Sequence, residues 1–85
     1  MQNPVKFLKL VTQEVLISQV TEVSAELGDP NCKLIEPYEI WEGPNLAPWL
    51  MEYTHDNEIM IRSEQILTMC EPSPKLLDKY KDVLS

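Results

Sequence analysis

Short apolar runs rich in β-branched residues, each ended by a polar turn, follow one another along the chain as far as Cys70. Runs of this length and composition are typical of β-strands. They lie at residues 7–11, 15–23, 32–41, 58–62 and 66–70, and residues 49–53 are expected to pair with 58–62 as a hairpin. The pattern predicts a mostly β fold, a small and strongly bent antiparallel sheet or open barrel of Sm-like or OB-like topology.

The sequence changes to a helical period after Pro72. Ser73 is suited to cap a helix, and Pro74 is suited to its first turn. Apolar residues then recur on one helical face, at Leu76, Leu77, Tyr80, Val83 and Leu84. We therefore expect a C-terminal helix over 73–84 that covers an open end of the sheet, within a single domain, 1–85, whose β structure occupies 7–71.

The charge distribution argues against an extended contact with nucleic acid. The net charge is −7, and the stretch from Glu14 to Glu71 holds twelve acidic residues but only two cations, Lys33 and Arg62. A surface that follows a phosphate backbone needs a basic patch. Any nucleic-acid site must therefore be small, and Arg62 at the turn after an apolar strand is its candidate, with an ion pair to a nearby Glu as the ordinary alternative.

Several other classes of protein are poorly supported by the sequence. No apolar run reaches the length of a membrane helix and the first residues do not begin a signal peptide, so we expect a cytoplasmic protein. Cys32 and Cys70 match no zinc or redox spacing and are expected to be reduced, packed thiols. His55 lies beside Asp56 and Glu58 but lacks further metal ligands. We therefore predict no enzyme, no cofactor and no metal.

Two segments resemble the signature motifs of the Sm/LSm family. Residues 58–69 are similar to the second motif, with Ile61 and Arg62 matching and Ser63 in place of the family's glycine, and residues 31–39 are similar to the end of the first motif. The resemblance covers 7–71, and the chain also resembles short, acidic Sm-like proteins from marine phages. It departs from the family in having no room for a helix before the first strand and no aromatic residue between Asp29 and Asn31.

The resemblance implies a ring of five to seven identical subunits joined edge to edge. The implied interface residues lie on the last two strands, at Met60, Ile61, Ile66, Leu67 and Met69. The implied nucleic-acid site lies at the pore, at Asp29, Asn31, Arg62 and Ser63. The function expected is non-catalytic binding or processing of single-stranded RNA through the pore-side site, in the bacterial host cytoplasm if the chain is of phage origin. Single-stranded DNA is the other nucleic-acid partner considered. The alternative is a ring-shaped protein-assembly module that binds no nucleic acid and uses its acidic surface with Trp41 and Trp49, although these rings are also suited to closing the core.

Overall fold

The computed structural model describes residues 3–42 and 45–85, and these form six strands and one α-helix. The strands are β1 (Val5–Leu10), β2 (Val15–Glu22), β3 (Cys32–Ile40), β4 (Leu46–Pro48), β5 (Glu58–Ile61) and β6 (Ile66–Cys70). A single 3-10 turn, Ser63–Gln65, joins β5 to β6, and helix α1 (Pro74–Leu84) follows β6. The predicted β content and C-terminal helix are confirmed.

The strands form one open antiparallel sheet. Its order is β4-β3-β2-β1-β6, and β5 pairs with the part of β3 that β4 leaves uncovered. Strand β6 therefore lies at one edge, while β4 and β5 share the other. Because β6 does not pair with β4 or β5, the sheet does not close into a barrel. This agrees with the prediction of a bent antiparallel sheet that stays open.

A bulge in β3 marks the point where its outer partner changes from β5 to β4. Ile17 of β2 pairs with Tyr38, but Gln19 pairs with Ile35, so β3 carries one extra residue. Glu36 accommodates it with a φ of 51°, and its N–H donates to the Asn57 carbonyl over 2.6 Å. A bulge bends its strand and increases the local twist. Pro37 directly follows Glu36. Its position at the bulge is expected, since proline within sheets is confined to edges and bulges.

The main core lies on one face of this sheet. Side chains alternate between the faces of a strand, so every second residue of β1, β2 and β3 points to this side. The buried members are Leu8, Leu10, Leu16, Val20, Cys32 and Leu34, and the partly buried Trp49, Ile61 and Ile66 pack against them. With so few buried side chains, the core is that of a small domain with limited stability.

Helix α1 packs against β3 through Tyr80, its one fully buried side chain, while Leu76, Leu77 and Leu84 are half-buried. Its N-terminus is capped by Ser73, whose Oγ accepts from the Leu76 N–H over 3.2 Å. Tyr80 is fully buried and donates its hydroxyl to the Glu36 carbonyl over 2.8 Å, at the bulge of β3. Its ring meets Tyr38 edge to face, with centroids 5.9 Å apart. The helix is therefore fastened to the strand bend.

Two local expectations are wrong. Residues 49–53 do not pair with β5, because Leu50 has a φ of 61° and its carbonyl accepts from the N–H groups of Tyr53 and Thr54, which closes the segment into turns. Strand β5 pairs instead with β3. Cys32 is a buried free thiol as expected, but Cys70 is exposed at the end of the edge strand β6.

Candidate functional site

Three of the four residues proposed to bind nucleic acid meet where β5 ends and β3 begins. Cys32 pairs with Ile61 in the antiparallel sheet, so Asn31, directly before β3, and Arg62, directly after β5, lie side by side. The Asn31 side chain accepts from the Ser63 N–H over 2.8 Å and donates to the Ser63 Oγ over 3.1 Å. We call Asn31, Arg62 and Ser63 the turn junction.

Arg62 is paired within the chain. Its Nε donates to the Glu64 Oε1 over 3.2 Å, and its Nη1 lies 3.5 Å from the Gly28 carbonyl. Both charged side chains are about half-exposed or more. An exposed pair of this kind contributes about 0–1 kcal/mol, so a ligand carboxylate or phosphate could displace Glu64 at small cost.

Asp29 lies next to the turn junction, because the Arg62 Nη1 is 3.5 Å from the carbonyl of Gly28, the residue before Asp29. It lines an open depression with Ser24, Glu26 and Met60, and its N–H donates to the Glu26 carbonyl over 3.0 Å. Gly28 has a φ of 91°, a left-handed conformation that turns the chain directly before Asp29. A role for any of the four residues in ligand binding stays a prediction.

The five residues proposed as an interface fall into two groups. Leu67 and Met69 on β6 are 59% and 51% exposed, and Met60 on β5 is 42% exposed. Ile61 and Ile66 instead pack against the core of their own subunit. Met60, Leu67 and Met69 lie on the two opposite edge strands of the sheet, so they are the residues of this set available for contact with another copy.

A cavity of about 220 Å³ that the sequence did not reveal opens beside β4. It is lined by three acidic residues and three aromatic residues, Glu14, Glu39, Glu52, Trp41, Trp49 and Tyr53, together with apolar groups. The Trp49 Nε1 donates to the Glu14 Oε2 over 2.7 Å, across 35 residues of sequence. Burial, followed by repulsion from Glu14, raises the pKa of the Glu39 carboxyl. We call this set the acidic cavity.

The only sequence signal for the acidic cavity was the position of Trp41 and Trp49 on either side of one loop. One of the two rings closes the core, and the other is available as a contact surface. Trp49 packs against the core, whereas Trp41 is largely exposed. Glu14 is distant in sequence, and only the pairing of β2 with β3 brings it beside Glu39.

A model of a family of unknown function, DUF6561, matches residues 3–85. The chain belongs to the DUF6561 family. No curated protein matches this DUF6561 chain significantly. The resemblance to the Sm/LSm family and its phage members is therefore wrong as an assignment, because the family model that covers the chain is a different one.

The misleading motifs have a physical explanation. Arg62 after an apolar strand, and Asn31 on the facing turn, meet the needs of a strand–turn–strand unit in a bent sheet, since Asn31 fixes the turn of this DUF6561 chain by two hydrogen bonds. Asn and Ser are common turn residues in many folds, because their side chains hydrogen-bond nearby backbone groups. The predicted number of five to seven subunits was implied by that resemblance alone, so it has no support once the resemblance is set aside.

Residues 3–42 and 45–85 contain no group of three or more His, Cys, Asp or Glu side chains that could hold a metal ion. His55 lines a separate cavity of about 390 Å³ with Tyr38, Trp49 and Met51. Over the same residues, no helix has the length and apolar character needed to cross a bilayer.

Proposed function

We propose that this protein is a non-catalytic assembly module that joins copies of itself through the two open edges of its sheet. The observation that carries the proposal is the exposure of Leu67 and Met69 on β6 and of Met60 on β5. An uncovered edge strand offers unpaired backbone groups to another chain. Apolar side chains beside such groups favour pairing, because burying them adds about 25 cal/mol for each Å² removed from water.

The two edges differ, and this decides the kind of assembly. Strand β6 is a continuous edge of five residues, whereas β5 and β4 divide the other edge around the bulge at Glu36. Pairing of β6 with β5 of the next copy is a heterologous contact, which closes into a ring when the rotation between copies allows. A small core also benefits from an interface that buries apolar surface.

Hydrogen exchange at two protein concentrations tests this proposal. We expect amides of β5 and β6 to exchange slowly in concentrated solution and faster on dilution, because the contact protects both edges. Amides of the central strand β2 serve as the internal control and should not change. Concentration-independent exchange of β5 and β6 would contradict self-association, and a change in β6 alone would contradict pairing of unlike edges.

Binding of single-stranded nucleic acid at the turn junction is the second candidate function. The observation that favours it is the convergence of Asn31, Arg62 and Ser63 at an exposed point directly beyond β5. Copies joined through β5 and β6 would repeat Arg62 around the assembly. A ring of guanidinium groups would give an acidic protein a local cationic surface.

Substitution of Arg62 tests the second candidate. If single-stranded RNA binds at the turn junction, Arg62→Ala should weaken binding about tenfold at low salt, as for the loss of one charged hydrogen bond. Arg62→Lys should restore binding only in part, since the planar fork is lost. The control is Lys33→Ala, which also removes a cation from an ion pair, with Glu58 over 3.4 Å, but on β3. Equal loss in both alanine variants, or no binding by the wild type, would contradict this site.

A further inference from the structure

We infer that the acidic cavity binds an arginine side chain presented by a basic segment of a partner protein. Three carboxylates and three aromatic rings line it. The inference does not rest on self-association, because a single copy of the chain supplies the complete cavity.

Strand residues and a hydrogen-bonded tryptophan form part of the cavity wall. Glu39 lies in β3, where it pairs with Ala47 of β4, and Glu14 immediately precedes β2. Trp49 is held at both ends, since its backbone N–H donates to the Pro37 carbonyl over 2.9 Å and its indole N–H donates to Glu14. A site whose walls are already in place spends less free energy on ordering when a ligand binds.

The acidic lining of the cavity is complementary to a cation. Burial, together with repulsion from Glu14, raises the pKa of Glu39, so the charged form of Glu39 is disfavoured in this cavity. The three ion pairs among residues 3–42 and 45–85 engage other acids, Glu71, Glu58 and Glu64. A bound cation would relieve the repulsion and gain from both carboxylates.

The aromatic rings favour arginine among cations. Trp41 and Tyr53 are 60% and 83% exposed, so their faces remain open to a ligand. A guanidinium group stacks on such rings, is weakly hydrated and bonds carboxylates in a fork, which an ammonium group or a metal ion cannot do in the same way. The volume of about 220 Å³ lies below the roughly 300–1,000 Å³ of sites for drug-sized ligands and suits one side chain.

The partner is expected to be a protein segment of opposite charge. The net charge of −7 steers basic chains toward this protein and repels nucleic acid over most of its surface. Lysine residues beside the arginine would add long-range attraction without entering the cavity.

Titration with a short acetylated peptide that carries one arginine between glycines tests this inference. The chain has two tryptophans, and both line the cavity, so their fluorescence reports directly on occupancy. We expect a saturable change with the arginine peptide. The matched peptide with citrulline, which has the same shape but no charge, should give a response at least fivefold weaker.

Two variants that lose the same charge locate the binding site. Glu39→Gln should weaken binding of the arginine peptide about fivefold or more, while Asp78→Asn, on the exposed side of α1, should change it less than twofold. Glu39→Gln removes a charge that the folded state disfavours, so its fold should persist. An equal response to citrulline, or equal weakening in the two variants, would overturn the inference, whereas the edge strands and their exchange would be unaffected.

Discussion

Replacing Tyr80 with alanine is expected to lower the free energy of unfolding by about 3–5 kcal/mol, as for other buried aromatic residues. Tyr80 is fully buried, and its ring and hydroxyl join α1 to β3. A domain of this size has roughly 5–10 kcal/mol of stability in total. The variant should therefore lose most of its cooperative transition in urea, measured by circular dichroism.

Tyr80→Phe separates the contribution of the Tyr80 ring from that of its hydroxyl, and Tyr53→Ala serves as the control. Tyr80→Phe keeps the packing but leaves the Glu36 carbonyl without the 2.8 Å hydrogen bond, so we expect a loss of about 1–2 kcal/mol. Tyr53→Ala, at an exposed tyrosine, should change stability by less than about 0.5 kcal/mol. Similar unfolding curves for Tyr80→Ala and Tyr53→Ala would contradict the role assigned to α1.

The same contact predicts a dependence on pH. Burial is the main cause that raises the pKa of the Tyr80 phenol in the folded protein. An unfolded tyrosine ionises near pH 10, so above this pH the unfolded state loses a proton that the folded state retains. The stabilisation by Tyr80 is complete below about pH 10 and is lost as the pH rises toward the folded pKa. Tyr80→Phe should lack this alkaline component of the decline.

Placing lysine at both Leu67 and Met69 is expected to abolish self-association. The substitutions put two charges on the edge of β6, and charged side chains on an edge strand oppose pairing with another chain. Both native side chains are more than half exposed in the single subunit, so its own fold should lose less than about 1 kcal/mol. The measurement is the mass in solution together with the circular-dichroism spectrum.

The control for this variant adds lysine to an exposed apolar site away from the edges. Leu27 lies in the loop between β2 and β3 and is fully exposed, so Leu27→Lys should retain the oligomer. A lysine variant of β6 with the same mass as the wild type would exclude this edge from the contact.

Patterns within single segments predicted most of the fold. Alternation and β-branched residues located β2 and β6, and the change of period with Ser73 and Pro74 located α1, because these signals depend on neighbouring residues alone. The failure at 49–53 has the same origin. The left-handed backbone conformation of Leu50 is unusual for a leucine, and the composition of the segment does not predict it.

The candidate sites depend on contacts that span the chain. The turn junction was partly predictable, since Asn31 and Arg62 each occupy a turn next to a strand, but their pairing requires the register of β3 with β5. The acidic cavity required Glu14 to reach Trp49 across 35 residues, which no local pattern encodes. The hydrogen bond from the Tyr80 hydroxyl to the Glu36 carbonyl at the bulge was likewise not predictable, because Tyr80 occupies an ordinary position on the apolar face of the helix.

The mass of the wild-type protein in solution tests the proposed assembly most directly. Light scattering across a range from about one to a few hundred micromolar should give a multiple of the 9.8 kDa subunit mass that decreases on dilution. A mass of one subunit at every concentration, in a sample with a folded circular-dichroism spectrum, would contradict self-association through the edges of the sheet.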